Sequence, residues 1–194
     1  PASSDVEQVY TDSVKGMKEQ YGLDVLNSLN VNNTYTLSTT KEIAEQYGLE
    51  TISDLKKIGG PVTICSTLAF MNREDGLLGV EDRYGINFNK VGVDGSARYT
   101  ALMSGEGQVI DAYSTDGLLK KFDLVILEDD QGVFPPYYAV PVFREEIMEQ
   151  YPEIADVTEA LADVLSTDTM AELNYLVDEE GQKAEEVAHN FLVE

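Results

Sequence analysis

Residues 108–138, QVIDAYSTDGLLKKFDLVILEDDQGVFPPYY, restrict this chain more than any other stretch. They read as strand, tight turn, short helix, strand, loop and a new extended segment. QVIDAY is apolar and β-branched enough for a buried strand, and Ser114-Thr115-Asp116-Gly117 is a turn that can also cap the helix after it. FDLVILE reads as a second buried strand with EDDQG as its exit loop. Phe134-Pro135-Pro136-Tyr137-Tyr138 then fixes the entry into a last extended segment, YYAVPVF. Tyr113 and Tyr137 fall where strands meet loops, which is where a two-layer α/β protein holds ligands.

Strands and helices alternate through the rest of the middle of the chain, which signals an α/β domain and not a sandwich. Residues 4–21 form an amphipathic helical pattern, with Ser3 or Ser4 as cap, Val6, Tyr10, Val14, Met17 and Tyr21 at helical spacing, and Gly22 as the stop. LDVLNSLN follows as a connector. TYTLST, PVTIC and NFNKVGV read as strands. KEIAEQY, GLLGVEDRY and SARYTALMSGE read as helices, the last with Tyr99, Leu102 and Met103 available for its inner face. STLAFMNREDG is a loop or a first helical turn. After Phe143 the pattern becomes helical and acidic: EEIMEQY, IADVTEALADVL, DTMAELNYLV with Thr167 as cap, and AEEVAHNFLV. The breaks near Val31 and Phe143 divide the chain into a helical segment 1–30, a complete α/β lobe 31–143 and an acidic helical return 144–194.

Charge narrows the choice of partner. The net charge of −23 argues against nucleic acid and against anionic membrane, since both need a basic face. Residues 144–194 alone hold 15 acids against Arg144 and Lys183, which reads as a solvated helical surface. Cys65 is the only cysteine, so no intrachain disulfide forms, and VTIC places it in the core. With His189 the only histidine, multi-histidine metal sites are disfavoured. Neither GEGQ nor GLLG has the pattern of a phosphate loop. No enzyme, cofactor or metal is expected. The opening PASSD reads as the start of a mature or trimmed chain, with neither a signal peptide nor an apolar run of transmembrane length.

Several short pieces, in order, carry a family resemblance: Asn32-Asn33-Thr34-Tyr35; Phe70 with Arg73 and Asp75-Gly76; Asp111-Ala112-Tyr113-Ser114-Thr115-Asp116-Gly117; Leu127-Glu128-Asp129-Asp130; Phe134-Pro135-Pro136-Tyr137; and Glu172-Leu173-Asn174-Tyr175 with Val177-Asp178 and Gly181. Together they resemble the glycine betaine/choline-type substrate-binding proteins of osmoprotectant ABC transporters. The resemblance implies an α/β, periplasmic-binding-protein-like (type II) fold, with one complete α/β lobe and the helical C-terminal part of a second, incomplete lobe. It makes residues 34–39 and 138–143 the strands that cross between lobes. The opening sheet of the other lobe precedes the first residue here, so another segment or chain is expected to supply it, along with the remaining wall of the cage. The implied partners are a small quaternary-ammonium ligand and an ABC permease, at the extracellular face of a bacterial membrane or in the periplasm. The other reading is a non-binding regulatory or interaction lobe, such as one fused to a permease.

A quaternary ammonium cannot hydrogen-bond through its nitrogen, so proteins hold it on the negative faces of aromatic rings, at roughly 0.5–2 kcal/mol per ring. Isolated aromatics at strand ends suit this, and Tyr35, Tyr113 and Tyr137 both have that placement and fall on the family's cage positions. Ordinary half-wet tyrosines are the competing reading. Arg73 resembles the family arginine that meets a ligand carboxylate; equally, it can pair with Glu74 or Asp75. Thr115 and Asp116 either touch the cleft or cap the helix after them. Glu128-Asp129-Asp130 lacks the spacing of a calcium loop and reads as a solvated turn. Asn32-Asn33-Thr34 matches a glycosylation sequon of the kind that arises often by chance. Tyr138, alternating away from Tyr137, is expected to pack in the core.

Overall fold

A computed structural model describes residues 5–193. Helix α1, Val6–Tyr21, is capped by Asp5, whose carboxylate accepts from the Gln8 N–H at 3.1 Å. The expected caps Ser3 and Ser4 lie outside the described residues. Gly22 ends α1 in the left-handed conformation that glycine adopts without strain. No side chain of α1 is fully buried, although its apolar residues recur at helical spacing.

The expected connector after α1 opens instead with a short strand. β1, Leu23–Val25, pairs antiparallel with β7, Val142–Arg144, to make a two-stranded sheet. The two backbones stay side by side beyond it. Leu26 N–H donates to Pro141 O, Leu29 N–H to Ala139 O, Ala139 N–H to Val31 O and Asn33 N–H to Tyr137 O, at 2.9–3.1 Å. The expected strand 138–143 is regular only in its last two residues, because Pro141 has no N–H to complete a ladder.

The second sheet has five strands in the order β4-β3-β5-β2-β6. They are β2, Tyr35–Thr39; β3, Val62–Ser66; β4, Phe88–Gly92; β5, Val109–Tyr113; and β6, Val125–Leu127. β3 runs parallel to β4 and β5, whereas β2 runs antiparallel to β5 and β6. β2, which falls within the expected crossing strand 34–39, is a fully buried inner strand of this sheet. β6 is shorter than FDLVILE suggested. It is an edge strand, and only Leu127 of its three residues is buried.

Helices cover both faces of the five-stranded sheet. On one face α2, Lys41–Tyr47, a 3-10 turn, Ile52–Ile58, α3, Leu68–Met71, and α4, Leu77–Tyr84, bring Ile52, Leu55, Phe70, Leu77 and Val80 against Leu37, Ile64 and Val109. On the other, α5, Ala97–Met103, and α6, Gly117–Lys121, set Tyr99, Leu102 and Leu119 against Cys65, Ile110 and Ala112. Alternation along β3 and β5 sorts these side chains, and each fully buried one stabilises the fold by about 1.5–3 kcal/mol relative to exposure. Met103, expected on the inner face of α5, is half exposed.

The acidic region forms α7, Glu145–Gln150, α8, Ile154–Val164, α9, Thr167–Asp178, and α10, Ala184–Val193. Among these helices only Ala162 and Val187 are buried. Ser166, not Thr167, caps α9, accepting from the Thr169 N–H at 3.0 Å. Thr167 instead accepts from the Asn32 N–H at 3.1 Å and ties α9 to the segment entering β2. α9 lies against α6, where Lys120 pairs with Glu172 and Lys121 with Glu179.

Candidate functional site

The site forms where β2 begins and β5 ends. Tyr35 and Tyr113 are direct partners in the β2–β5 register, so both rings leave the same face of the sheet. Their centroids are 4.9 Å apart with 29° between the planes, and the Tyr113 hydroxyl donates to that of Tyr35 at 3.3 Å. Tyr137 arrives from the Pro-Pro segment. Its N–H donates to Asn32 Oδ1 at 2.7 Å and its carbonyl accepts from Asn33 N–H at 3.1 Å. That anchorage sets the Tyr137 ring edge-on to Tyr35, 6.3 Å away at 86°. Phe70 and Phe134 pack behind Tyr35 at 4.9 and 6.3 Å and hold its ring in place.

The three phenol rings line one hollow of about 390 Å³ with Asn33, Arg73 and Ala139. Arg73 stands at its edge, its guanidinium carbon 5.7 Å from the centre of the Tyr35 ring. Both carboxylate oxygens of Asp75 accept from it, from Nε at 2.7 Å and Nη2 at 2.6 Å, so the internal ion pair foreseen for Arg73 is present at the hollow itself. Tyr137 OH donates to the same carboxylate. The Arg73 bonds, and then that of Tyr137, hold Asp75 below the usual carboxylate range against the opposing effect of burial. Burial, then the bond from Tyr113, pushes the Tyr35 phenol up; burial, then Asp75, does the same for Tyr137. The hollow therefore offers the uncharged phenol faces of Tyr35 and Tyr137 and a guanidinium already paired to an acid.

Thr115 and Asp116 do not line this hollow. Thr115 is buried, donates to Asn33 Oδ1 at 2.8 Å and accepts through its carbonyl from Asn174 Nδ2 at 3.0 Å. Asp116 occupies the cap position of α6 without a capping bond. Its carboxylate accepts from Arg98 Nη2 at 2.9 Å, Tyr99 OH at 2.7 Å and the Tyr113 N–H at 3.1 Å. Arg98 is buried and also donates to Asp111 O and Gly95 O, both at 2.6 Å. The STDG turn is thus braced from behind, and the brace reaches the backbone that carries Tyr113.

The acidic run after β6 is not a freely solvated turn either. Asp129 accepts from Tyr84 OH at 2.5 Å and from Phe134 N–H at 2.8 Å, and Asp130 accepts from Ser53 Oγ at 2.6 Å. These acids fasten the loop that leads into the Pro-Pro segment. Asn32, read as a chance sequon, spends its side chain on Tyr137. Tyr138 is 39% exposed instead of in the core, in a groove between α1 and the segment around Pro136. Arg98 gave no site signal in sequence, and Asn33 stood out only within a family piece and a chance sequon. For Asp75 the signal was its place two residues after Arg73, in a loop that turns back on itself.

Residues 5–194 match the family model described as the substrate binding domain of ABC-type glycine betaine transport systems. The chain is 36% identical over 193 residues to a glycine-betaine-binding protein of Pseudomonas aeruginosa, a match that takes in 93% of this chain and 62% of that protein. It is 34% identical over 179 residues to the ergothioneine transport permease/ergothioneine binding protein EgtU of Helicobacter pylori, covering 92% of this chain and 32% of that one. It thus spans about three-fifths of the first relative's length and one-third of the second's. A solved structure described as a glycine betaine/carnitine/choline ABC transporter superposes with a TM-score of 0.90 at 34% identity, covering 99% of this chain and 71% of that one.

Proposed function

We propose, from the premise that this chain belongs to the family of substrate-binding domains of ABC-type glycine betaine transport systems, that it captures a trimethylammonium solute in the hollow between Tyr35, Tyr113 and Tyr137. The fold is α/β and periplasmic-binding-protein-like, and the family is one of binding domains, not of enzymes. The observation that carries the reading is the meeting of three phenol rings from three separate segments around one hollow. Such rings attract a methylated ammonium electrostatically, and the attraction grows as water is expelled. Glycine betaine, choline and carnitine have the required head. A further segment or chain closes over the ligand, and the closed form meets an ABC permease at the outer face of a bacterial membrane or in the periplasm. No helix among the described residues is long and apolar enough to cross a membrane.

The test is a thermal-shift panel of glycine betaine, choline, carnitine, proline betaine, ergothioneine and ectoine, followed by calorimetry of those that shift. Ligand at about 100 times its Kd adds roughly 2.7 kcal/mol of stability, which is readily seen. Trimethylammonium compounds are expected to raise the unfolding midpoint and ectoine to leave it unchanged. No shift with any of them rejects the proposal in favour of a non-binding interaction lobe.

A further inference from the structure

The Arg73–Asp75–Tyr137 cluster is more specific than a cage requires. It is built within one tight loop: the Arg73 N–H reaches Phe70 O at 3.4 Å and the Gly76 N–H reaches Arg73 O at 3.2 Å. A Cβ on Gly76 would stand 2.5 Å from Phe70 O, so the loop closes this far only with glycine there. The closure sets Asp75 opposite Arg73 with no ligand needed to hold it. Of the guanidinium's five donors, those on Nε and Nη2 turn to Asp75, while Tyr137 OH, 3.4 Å from Nη2, donates to the same carboxylate. Arg73 is the cation among the residues lining the hollow, and Asp75 stands behind it and behind Tyr137, off the lining.

Resting on the reading of the hollow as a trimethylammonium site, we propose that Asp75 is a positioning residue that sets which polar end the ligand can carry. By occupying the Nε/Nη2 edge of Arg73, it takes one of the two two-pronged faces that a ligand carboxylate could use, and Tyr137 OH, 3.4 Å from Nη2, crowds the other. It also adds a negative charge beside a hollow that takes a cation. Both effects favour a cationic solute with a neutral polar end, the choline type, over a zwitterion with a carboxylate, the betaine type. A carboxylate ligand must displace Asp75 from Arg73 or bind at the Nη1/Nη2 edge that Tyr137 crowds.

Calorimetric titration of choline and glycine betaine into the unaltered chain, Asp75→Asn and Arg73→Gln tests this. The amide of Asp75→Asn still offers an oxygen to Tyr137 but no charge to Arg73, so the affinity ratio should move toward glycine betaine by roughly tenfold. Arg73→Gln leaves Asp75 unpaired beside the hollow, so the ratio should move the other way. A residue with a merely structural part would weaken both ligands alike. An unmoved ratio in the folded variants, or a shift of both variants in one direction, overturns the assignment of Asp75 and leaves the cage standing. Failure of the unaltered chain to bind either ligand overturns both. If thermal unfolding shows that Asp75→Asn does not fold, the Arg73→Gln ratio decides alone.

Discussion

Tyr35 and Tyr113 sit directly opposite each other across an antiparallel strand pair, stacked at 4.9 Å with their hydroxyls in contact. The register of two strands, not a flexible loop, therefore fixes the spacing of two rings that line the hollow. Binding by ring faces depends on the rings and not on their hydroxyls. We expect Tyr113→Ala and Tyr137→Ala each to weaken glycine betaine or choline binding at least about tenfold, and Tyr113→Phe to weaken it by no more than about threefold. Tyr35→Ala should do the same at a further cost, because the Tyr35 ring is also a core residue against Phe70. Its loss removes about 3 kcal/mol of stability. Calorimetry with parallel urea unfolding separates the two effects. Unchanged affinity in all three alanine variants removes the cage.

Arg98 sits behind the wall that Tyr113 forms. It is 5% exposed and donates to Asp111 O, Gly95 O and Asp116, and Asp116 in turn accepts from the Tyr113 N–H. Replacing a buried guanidinium with Met strands two carbonyls and leaves an acid short of its partner. The side chain of Asp116 is 27% exposed, and water reaching it moderates the cost. Arg98→Met should lower the unfolding free energy by about 2–3 kcal/mol. It should also weaken ligand binding, although Arg98 does not line the hollow. Full affinity together with the stability loss would show that the brace does not reach Tyr113.

That Tyr35, Tyr113 and Tyr137 would share one hollow was legible in the sequence through the family resemblance, and the alternation of QVIDAY fixes which of its side chains share a face. The brace was not. Arg98 lies in SARYTALM, a pattern in which a cation reads as solvated, and its acid partner comes 18 residues later, across a strand and a turn. For Thr115 and Asp116 the sequence placed the turn, and Asp116 at the cap position of α6, but not the bonds to Asn33, Arg98 and Tyr99, since a turn's composition does not say which way its side chains leave. Tyr138 was misplaced because strict alternation presumes a regular strand, and Pro135, Pro136 and Pro141 break that regularity. Ile126, in a run read as a buried strand, is exposed because sheet order, which no local pattern encodes, leaves β6 at an edge.

Two glycines with opposite surroundings give a paired stability test. A Cβ on Gly117 would stand 2.6 Å from Tyr175 Cα and 2.8 Å from its nitrogen, so α6 and α9 approach this closely only because the side chain is absent. The obstacle is backbone, which cannot rotate away. Gly117→Ala should cost roughly 1–3 kcal/mol and loosen the packing of α9 on α6. A Cβ on Gly16, inside α1, meets nothing within 4 Å. Gly16→Ala should stabilise the helix by about 0.5–1 kcal/mol. Chemical denaturation of both variants reads the two signs. A neutral Gly117→Ala would mean that α9 is free to shift away from α6.

Alkaline titration probes the burial of phenols directly. Burial first, then a bond to a neighbouring group, pushes up Tyr35 (beside Tyr113), Tyr84 (beside Asp129) and Tyr99 (beside Asp116), all from the usual value of 10.0. In the unfolded chain these phenols lose their protons near the usual value, whereas in the folded chain they keep them to higher pH. The stabilisation that comes from their neutral forms is therefore complete below about pH 10 and is lost as the pH climbs toward the raised folded-state values. Tyrosinate absorbance should accordingly rise in two steps. The buried group ionises in the later step, together with the loss of far-ultraviolet circular dichroism. Ligand that closes over the hollow should delay the second step. If every tyrosine ionises by about pH 11 while the dichroism is unchanged, Tyr35 is open to solvent and its ring is not part of a dry wall.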